Sequence, residues 1–468
     1  MSPPPFGANS AAARDIANVL HPYTDLKMHQ EVGPVIITRG KGVRVWDDAG
    51  KEYIEGVAGL WCAALGFDNE RLVQAAVTQM RKLPFYHAFS AKSHEPCIDL
   101  AEMLTQRAPV PMSKVFFANS GSEANDSAIK MVWYFNNALG RPAKKKLIGR
   151  NRGYHGITLA AASLTGLAAN HRAFDVPLPG FFHTTAPYHY ALGQPGESEE
   201  AFATRCAEDL EKLILAEGPD TVAAMWAEPV MGAGGVIVPP RGYFQKIQAV
   251  LRKYDVLLVA DEVICGFWRT GNYWGSQTFG IEPDILVCAK ALSSSYLPIS
   301  AVMVNEKVFQ GLATQSHEIG TFGHGFTYSG HPVAAAVAIE TLKIYDETDI
   351  GGHVRQVGAH MQKELRRRFA DHPLVGEVRG VGLIAAIELA ADKASKAKFP
   401  PEAGISARWT KLNEAHGVIT RAVAGEILCF SPPLIITEAE VDEMLDRIGR
   451  ALDELTVQIR RERIAPVT

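Results

Sequence analysis

Between about Trp61 and Gly320, short apolar runs alternate with stretches of helical period, and this alternation restricts the chain more than any other feature. Residues 114–118, 147–149, 222–227, 257–260 and 285–288 read as strands, with 300–304 as a further one. Residues 123–139, 199–216 and 244–253 between them read as helices. Strands separated by helices belong in a parallel sheet covered on both faces. The predicted fold is therefore α/β: a large domain with a mostly parallel sheet flanked by helices, plus a smaller α+β domain.

The flanks fit the same division. Residues 39–53 read as a hairpin, with Gly42-Val-Arg-Val-Trp-Asp alternating and Asp48-Ala-Gly-Lys turning the chain. After His331, amphipathic residues 334–345 and 352–369 precede strand-like 382–388, and 438–460 forms a closing helix. We expect an N-terminal segment, 1–60, that contributes to the small domain, a large domain over 61–330 and a small domain over 331–468. Residues 1–12, rich in proline and small side chains, read as loose.

Composition removes several classes of function. The 468 residues carry 47 basic and 51 acidic side chains, a formal net charge of −4, which supplies no basic field for nucleic acid. No run of ~18 apolar residues suggests a membrane span, and the first ten residues show no basic stretch leading into an apolar one. The cysteines, Cys62, Cys97, Cys206, Cys265, Cys288 and Cys429, form no C-x-x-C pair. That spacing fits neither a disulfide scaffold nor a zinc site. A reduced, cytoplasmic enzyme without a metal is the expectation.

Three strand ends carry chemistry. Val115-Phe-Phe-Ala-Asn runs into Ser120-Gly121-Ser122 and then a helix, with Ser120 and Glu123 spaced as a capping box. Free N–H groups and the helix dipole make such a junction an anion site. Leu257-Leu-Val-Ala ends in Asp261-Glu262. Ile285-Leu-Val-Cys-Ala ends in Lys290, and a lysine sheltered from water loses its proton and becomes a nucleophile. Each junction also has an ordinary structural reading, as a capped helix, a strand-end cap or a snorkelling lysine. In a parallel sheet the three share one edge, where ligands of open α/β sheets bind. An anion cradle, an acid and a lysine meet the needs of pyridoxal 5′-phosphate: phosphate, pyridine nitrogen and aldehyde.

With these residues in view, the chain resembles the class III, or omega, aminotransferases, pyridoxal-phosphate enzymes of fold type I. The likeness runs from His21-Pro22-Tyr23-Thr24 to Ser431-Pro432-Pro433. It rests most on Leu258-Val-Ala-Asp261-Glu-Val263 followed by Lys290. Further matches are Ser120-Gly-Ser-Glu-Ala-Asn, Gly153-Tyr154-His155-Gly156, Ala227-Glu228-Pro229 and Gly325-Phe326-Thr327-Tyr-Ser-Gly-His-Pro. Gly59-Leu60-Trp61-Cys62 and Ile419-Thr-Arg421-Ala422 are similar to the omega-amine:pyruvate branch.

The resemblance implies roles. Lys290 would form the Schiff base with the cofactor, and Asp261 would pair with its pyridine nitrogen. Val263 would pack on one ring face and Tyr154 on the other, with His155 beside it. Ser120, Gly121 and Ser122 would hold the phosphate, and Glu228 would support the site near the ring oxygen. Thr327 would reach the phosphate of a partner subunit, implying a homodimer or a dimer of dimers with shared sites. Trp61 and Phe89 would wall the substrate pocket, and Arg421 would bind the keto acid's carboxylate. Ordinary alternatives stand beside these: turn residues for Tyr154 and His155, core aromatics for Trp61 and Phe89, a surface ion pair for Arg421.

The implied activity moves an amino group from an omega-amine to a keto acid, with pyruvate expected as acceptor and alanine as product. A decarboxylase or aminomutase on the same cofactor is the rival reading, and a non-catalytic homologue a more distant one. Three positions depart from the family pattern: Trp268 and Ser295 stand where glycine is common, and Ala291 where glycine often follows the lysine. They bear on pocket size and substrate range. Other motifs fail. Gly232-Ala-Gly-Gly235 precedes Val236-Ile-Val-Pro-Pro rather than a helix, and His94-Glu95 lacks a second histidine. Lys144-Lys145-Lys146 reads as a solvated turn.

Overall fold

The computed structural model describes Gly7 and residues 9–423 and 425–465. Most of the loose reading of 1–12 lies outside these residues. At its end, however, Ser10 accepts a hydrogen bond from the Ala13 N–H and starts a helix, Ala11–Asn18. Residues 39–53 form two hairpins rather than one. Strand β1 (Ile37–Lys41) pairs with β2 (Arg44–Asp47), which pairs with β3 (Glu52–Glu55), all antiparallel. The extra turn lies at Gly42, whose φ of 54° suits glycine.

The large sheet holds seven strands: β4 (Lys114–Ala118), β5 (Lys146–Arg150), β6 (Phe181–Thr184), β7 (Val222–Ala227), β8 (Leu257–Asp261), β9 (Ile285–Cys288) and β10 (Ser300–Val304). Their order is β4-β10-β9-β8-β7-β5-β6, and only β10 runs against the rest. Successive side chains explain the two covered faces. Leu147, Trp226 and Val259 pack with Ile129, Val132 and Phe135 of the helix Gly121–Ala138. Their neighbours Ile148, Met225 and Leu258 pack with Phe202, Leu210 and Ile247 on the opposite face. Period-two alternation with both sets apolar is the signature of a buried parallel sheet. β6 escapes the sequence reading because it is a short edge strand ending in His183 and Thr184.

In the C-terminal part, β11 (Val375–Val381), β12 (Ile384–Leu389), β14 (Arg421–Val423) and β15 (Ile427–Phe430) form an antiparallel sheet in the order β11-β12-β15-β14. β13 (Val418–Ile419) instead pairs in parallel with β3, so the first and last parts of the chain share a sheet. Helices Ile350–Phe369 and Glu438–Glu462 contribute Val354, Leu365, Leu445 and Leu452 to the core there.

One further reading is corrected. Lys144–Lys146 is no solvated turn, because each ammonium is bonded near a helix carboxyl end. Lys144 Nζ donates to Tyr254 O at 3.1 Å, Lys145 Nζ to Asn137 Oδ1 at 2.6 Å, and Lys146 Nζ to Glu217 O at 2.6 Å. Cations there meet orphan carbonyls and the negative end of the helix dipole. His94, set aside as half a zinc motif, caps the helix Glu95–Arg107 by accepting from Cys97 N through Nδ1.

Candidate active site

Strand register brings the three junctions together. Ser300 of β10 lies opposite Ala118, and Ala301 opposite Cys288. Asp261 of β8 lies opposite Val287. The carboxyl ends of β4, β8 and β9 therefore meet at one edge of the sheet. A cavity of about 320 Å³ opens there, lined by Asn119, Ser120, Gly121, Lys290, Ser295 and Ile299, among others.

Asp261 is 3% exposed and held from three directions. Asn125 Nδ2 donates to its Oδ2 at 2.9 Å and His155 Nδ1 donates to the same oxygen at 2.8 Å, while Val263 N donates to Oδ1 at 3.1 Å. A carboxylate offers about four acceptor positions, so one remains for a ring N–H. The next acid turns away. Glu262 accepts from Gly275 N and Ser276 N and caps the helix Gly275–Phe279, and burial pushes its carboxyl up to about 7. Sequence alone shows two acids at one strand end; strand pleat sends them to opposite sides.

At the anion junction Ser120 caps the helix Gly121–Ala138, its Oγ accepting from Glu123 N at 3.2 Å. Only half of the expected capping box forms, since Glu123 Oε2 reaches back to Asn119 N. A Cβ on Gly121 would come within 3.2 Å of both Val263 methyls. Glycine thus leaves the backbone close to Val263 at the mouth of the cradle. Ser122 sits behind, its Oγ accepting from Ile157 N at 3.2 Å.

Lys290 is half-buried, lines the cavity and starts a short 3₁₀ turn, Lys290–Ser293. Its φ of 51° lies in the left-handed region, which costs a non-glycine residue conformational energy. Burial lowers the pKa of its ammonium; Cys62, Asp261 and Glu228 oppose that shift and Arg421 adds to it. Glu228 is buried, and burial raises its carboxyl pKa. Its two oxygens accept from Tyr154 N at 3.0 Å and Gly232 N at 2.9 Å, so it holds the backbone beneath Tyr154. That bond gives the glycine run at 232–235 a use that no nucleotide motif supplies.

The rim is assembled from distant segments. Trp61 is 3% exposed, with a φ of 66°, and packs with Val230, Ile264 and Cys265. The guanidinium carbon of Arg421 lies 5.9 Å from the centre of the Tyr23 ring, and the Tyr23 hydroxyl neighbours that of Tyr154. Burial first, and the neighbouring Tyr23 hydroxyl second, raise the Tyr154 phenol pKa. Arg421 is half-buried and makes no ion pair among the described residues. Phe89 stands elsewhere: it is 46% exposed and its ring touches Gly325, in the segment that carries the exposed Thr327.

Of the three departures, only Ser295 lines the cavity, and its φ of 57° is the conformation that glycine adopts freely. Ala291 is buried, with its carbonyl accepting from Tyr345 Oη at 2.7 Å. Trp268 points away: it packs on Tyr273, on Arg355 and over Gly351, at the start of the helix Ile350–Phe369. It therefore narrows a junction with the C-terminal part, not the pocket. The sequence reading assigned no role to Asn125 or Tyr23. Asn125 could have been found one helical turn beyond Gly121, facing the strand ends; Tyr23 carries no signal outside its His-Pro-Tyr-Thr string.

Cradle, fixed carboxylate and sheltered lysine fit pyridoxal phosphate in charge and placement. Residues 27–452 match the family Aminotransferase class-III. The chain is 52% identical over 435 residues to gamma-aminobutyrate transaminase 1, mitochondrial, of Oryza sativa subsp. japonica, covering 93% of this chain and 84% of that one. The omega transaminase from Pseudomonas jessenii in complex with PMP superposes with a TM-score of 0.95 at 59% identity, over 96% of this chain and 99% of that one. A thermostable omega transaminase engineered for asymmetric synthesis of enantiopure bulky amines gives 0.94 at 58% identity, over 96% and 100%. With this site and this kinship, the chain belongs to the class III aminotransferases, and is a pyridoxal-phosphate-dependent omega-transaminase of fold type I.

Proposed function

We propose that the enzyme takes an amino group from an omega-amine and passes it to pyruvate, releasing alanine. The observation that carries the substrate side is Arg421. A half-buried guanidinium with no acid partner among the described residues, beside Tyr154 and Tyr23, suits a carboxylate that arrives and leaves. When bound, the cofactor supplies an electron sink for the substrate's carbanion. Lys290 Nζ, its ammonium pKa lowered by burial, takes the proton from the amine-bearing carbon and later returns one. Asp261 keeps a proton on the pyridine nitrogen, and Asn125 and His155 keep Asp261 aimed. Ser120, Gly121 and Ser122 hold the phosphate at the helix N-terminus. Val263 and Tyr154 confine the ring, Glu228 supports Tyr154 from below, and Trp61 walls the pocket.

Thr327 is exposed, which supports a homodimer, or a dimer of dimers, in which it reaches the other protomer's phosphate, while Phe89, beside Gly325, walls the substrate pocket. Within this reading the chain divides at residues 60 and 330, and the enzyme works in the cytoplasm, supported by six unpaired cysteines. Among the described residues no helix is long and apolar enough to cross a membrane.

Amino transfer itself displaces the decarboxylase, aminomutase and binding-protein readings. The test of substrate is a panel of amines with pyruvate or other keto acids, followed by alanine formation. Gamma-aminobutyrate comes first, from the rice relative's name. Turnover with several omega-amines and pyruvate is expected; turnover only with a different keto acid would remove pyruvate from the assignment.

A further inference from the structure

Far along the chain from Lys290, three side chains converge near the amino end. Asp15 lies in the helix Ala11–Asn18, His29 in the helix Leu26–Val32, and His21 in the link between them. His21 Nε2 lies 2.8 Å from Asp15 Oδ1 and 3.0 Å from Oδ2, and His29 Nε2 lies 3.0 Å from the same Oδ1. The two rings are 4.4 Å apart between centres and tilted by 47°, so the same nitrogen of each aims at one point. The His29 side chain is 9% exposed and that of Asp15 16%. Among the described residues no other trio of His, Cys, Asp or Glu brings its ligand atoms so close.

We propose that Asp15, His21 and His29 form a binding site for a divalent transition cation of the zinc class, with a fourth position left to water. Zinc bonds to imidazole nitrogen and carboxylate oxygen are about 2.0–2.2 Å, which sets tetrahedral ligand atoms roughly 3.3 Å apart. The distances here are a few tenths of an ångström shorter, so small side-chain shifts open room for the ion. One cation would replace the two Nε2 protons that the present contacts require and satisfy both lone pairs and the carboxylate together. The sequence reading expects no metal, because the cysteine spacing fits no zinc site and His94-Glu95 lacks a second histidine. The site is structural: it clasps two helices, and it anchors the stretch two residues before Tyr23, which lies against Arg421.

The test uses untagged full-length holoenzyme, stripped with a chelator and titrated with Co²⁺ and then Zn²⁺. One equivalent per chain is expected, with the visible d–d absorption of tetrahedral Co²⁺, lost on adding Zn²⁺. Zinc should also slow limited proteolysis within residues 9–32. His21→Ala and His29→Ala should abolish the band, while His416→Ala, on a surface histidine paired with Glu454, should keep it. Asp15→Asn keeps the side chain's shape and should weaken Zn²⁺ binding by at least ~10-fold. Circular dichroism and cofactor absorbance report folding of each variant. No bound equivalent, a band that survives both histidine substitutions, or unchanged affinity in Asp15→Asn overturns the site.

Discussion

The two sides of the catalytic edge are built differently. On the side proposed to hold the cofactor, Asp261 is fixed by Asn125, His155 and Val263, and Glu228 by Tyr154 and Gly232. These polar groups are fixed by the protein before any ligand arrives, with one acceptor position of Asp261 left open, so little reorganisation is needed at the moment of reaction. The rim differs. Arg421 has a ring at 5.9 Å and no ion pair among the described residues. A rigid floor suits one unchanging cofactor. A loosely held rim suits two substrates of different charge.

Breaking the floor should cost most. Lys290→Ala should lower alanine formation by at least ~10²–10⁴-fold, the usual contribution of a positioned acid–base group. Cofactor absorbance should persist, because the cradle and Asp261 remain. Borohydride reduction of the unaltered enzyme should fix the cofactor on the peptide that contains Lys290; a label on any other lysine contradicts the assignment.

Asp261→Asn should follow. A charge-assisted hydrogen bond contributes about 1.5–3 kcal/mol, which at ~1.4 kcal/mol per decade lowers turnover by more than ~10-fold. Near-normal turnover would show that the floor does not depend on this carboxylate.

At the rim the effect should be selective rather than large. Arg421→Ala should slow the pyruvate half-reaction by about 10-fold or more, for one lost charge-assisted contact, and leave the half-reaction of a neutral amine nearly unchanged. Single-turnover traces of cofactor absorbance separate the two. Equal losses would make Arg421 part of the frame and erase the contrast between floor and rim.

The smallest effect on catalysis should come from the junction under Trp268. A Cβ on Gly351 would meet the indole at 2.5 Å. Gly351→Ala should therefore lower stability by about 1–3 kcal/mol, as overpacking does, with kcat little changed. A loss of turnover larger than the loss of folded protein would tie this junction to the pocket after all.

What the sequence determined by itself was local. The core strands of the large sheet were legible because each is a continuous apolar run, and Ser120, Asp261 and Lys290 were legible because each ends such a run next to a turn or helix start. Motif resemblance then assigned Tyr154, Glu228 and Thr327, which no periodicity marks. Only the tertiary structure decided the rest. It gave the second acid of that strand end, Glu262, its own partners in Gly275 and Ser276, because strand pleat turns neighbouring side chains apart. It moved Trp268 out of the pocket, because a glycine some eighty residues later made room for it. It brought Tyr23 to Arg421, and set Asp15, His21 and His29 around one point, through long-range packing that no short window of sequence contains. Secondary structure follows from nearby residues, but the partners of a side chain are set by chain segments that meet only when the core closes.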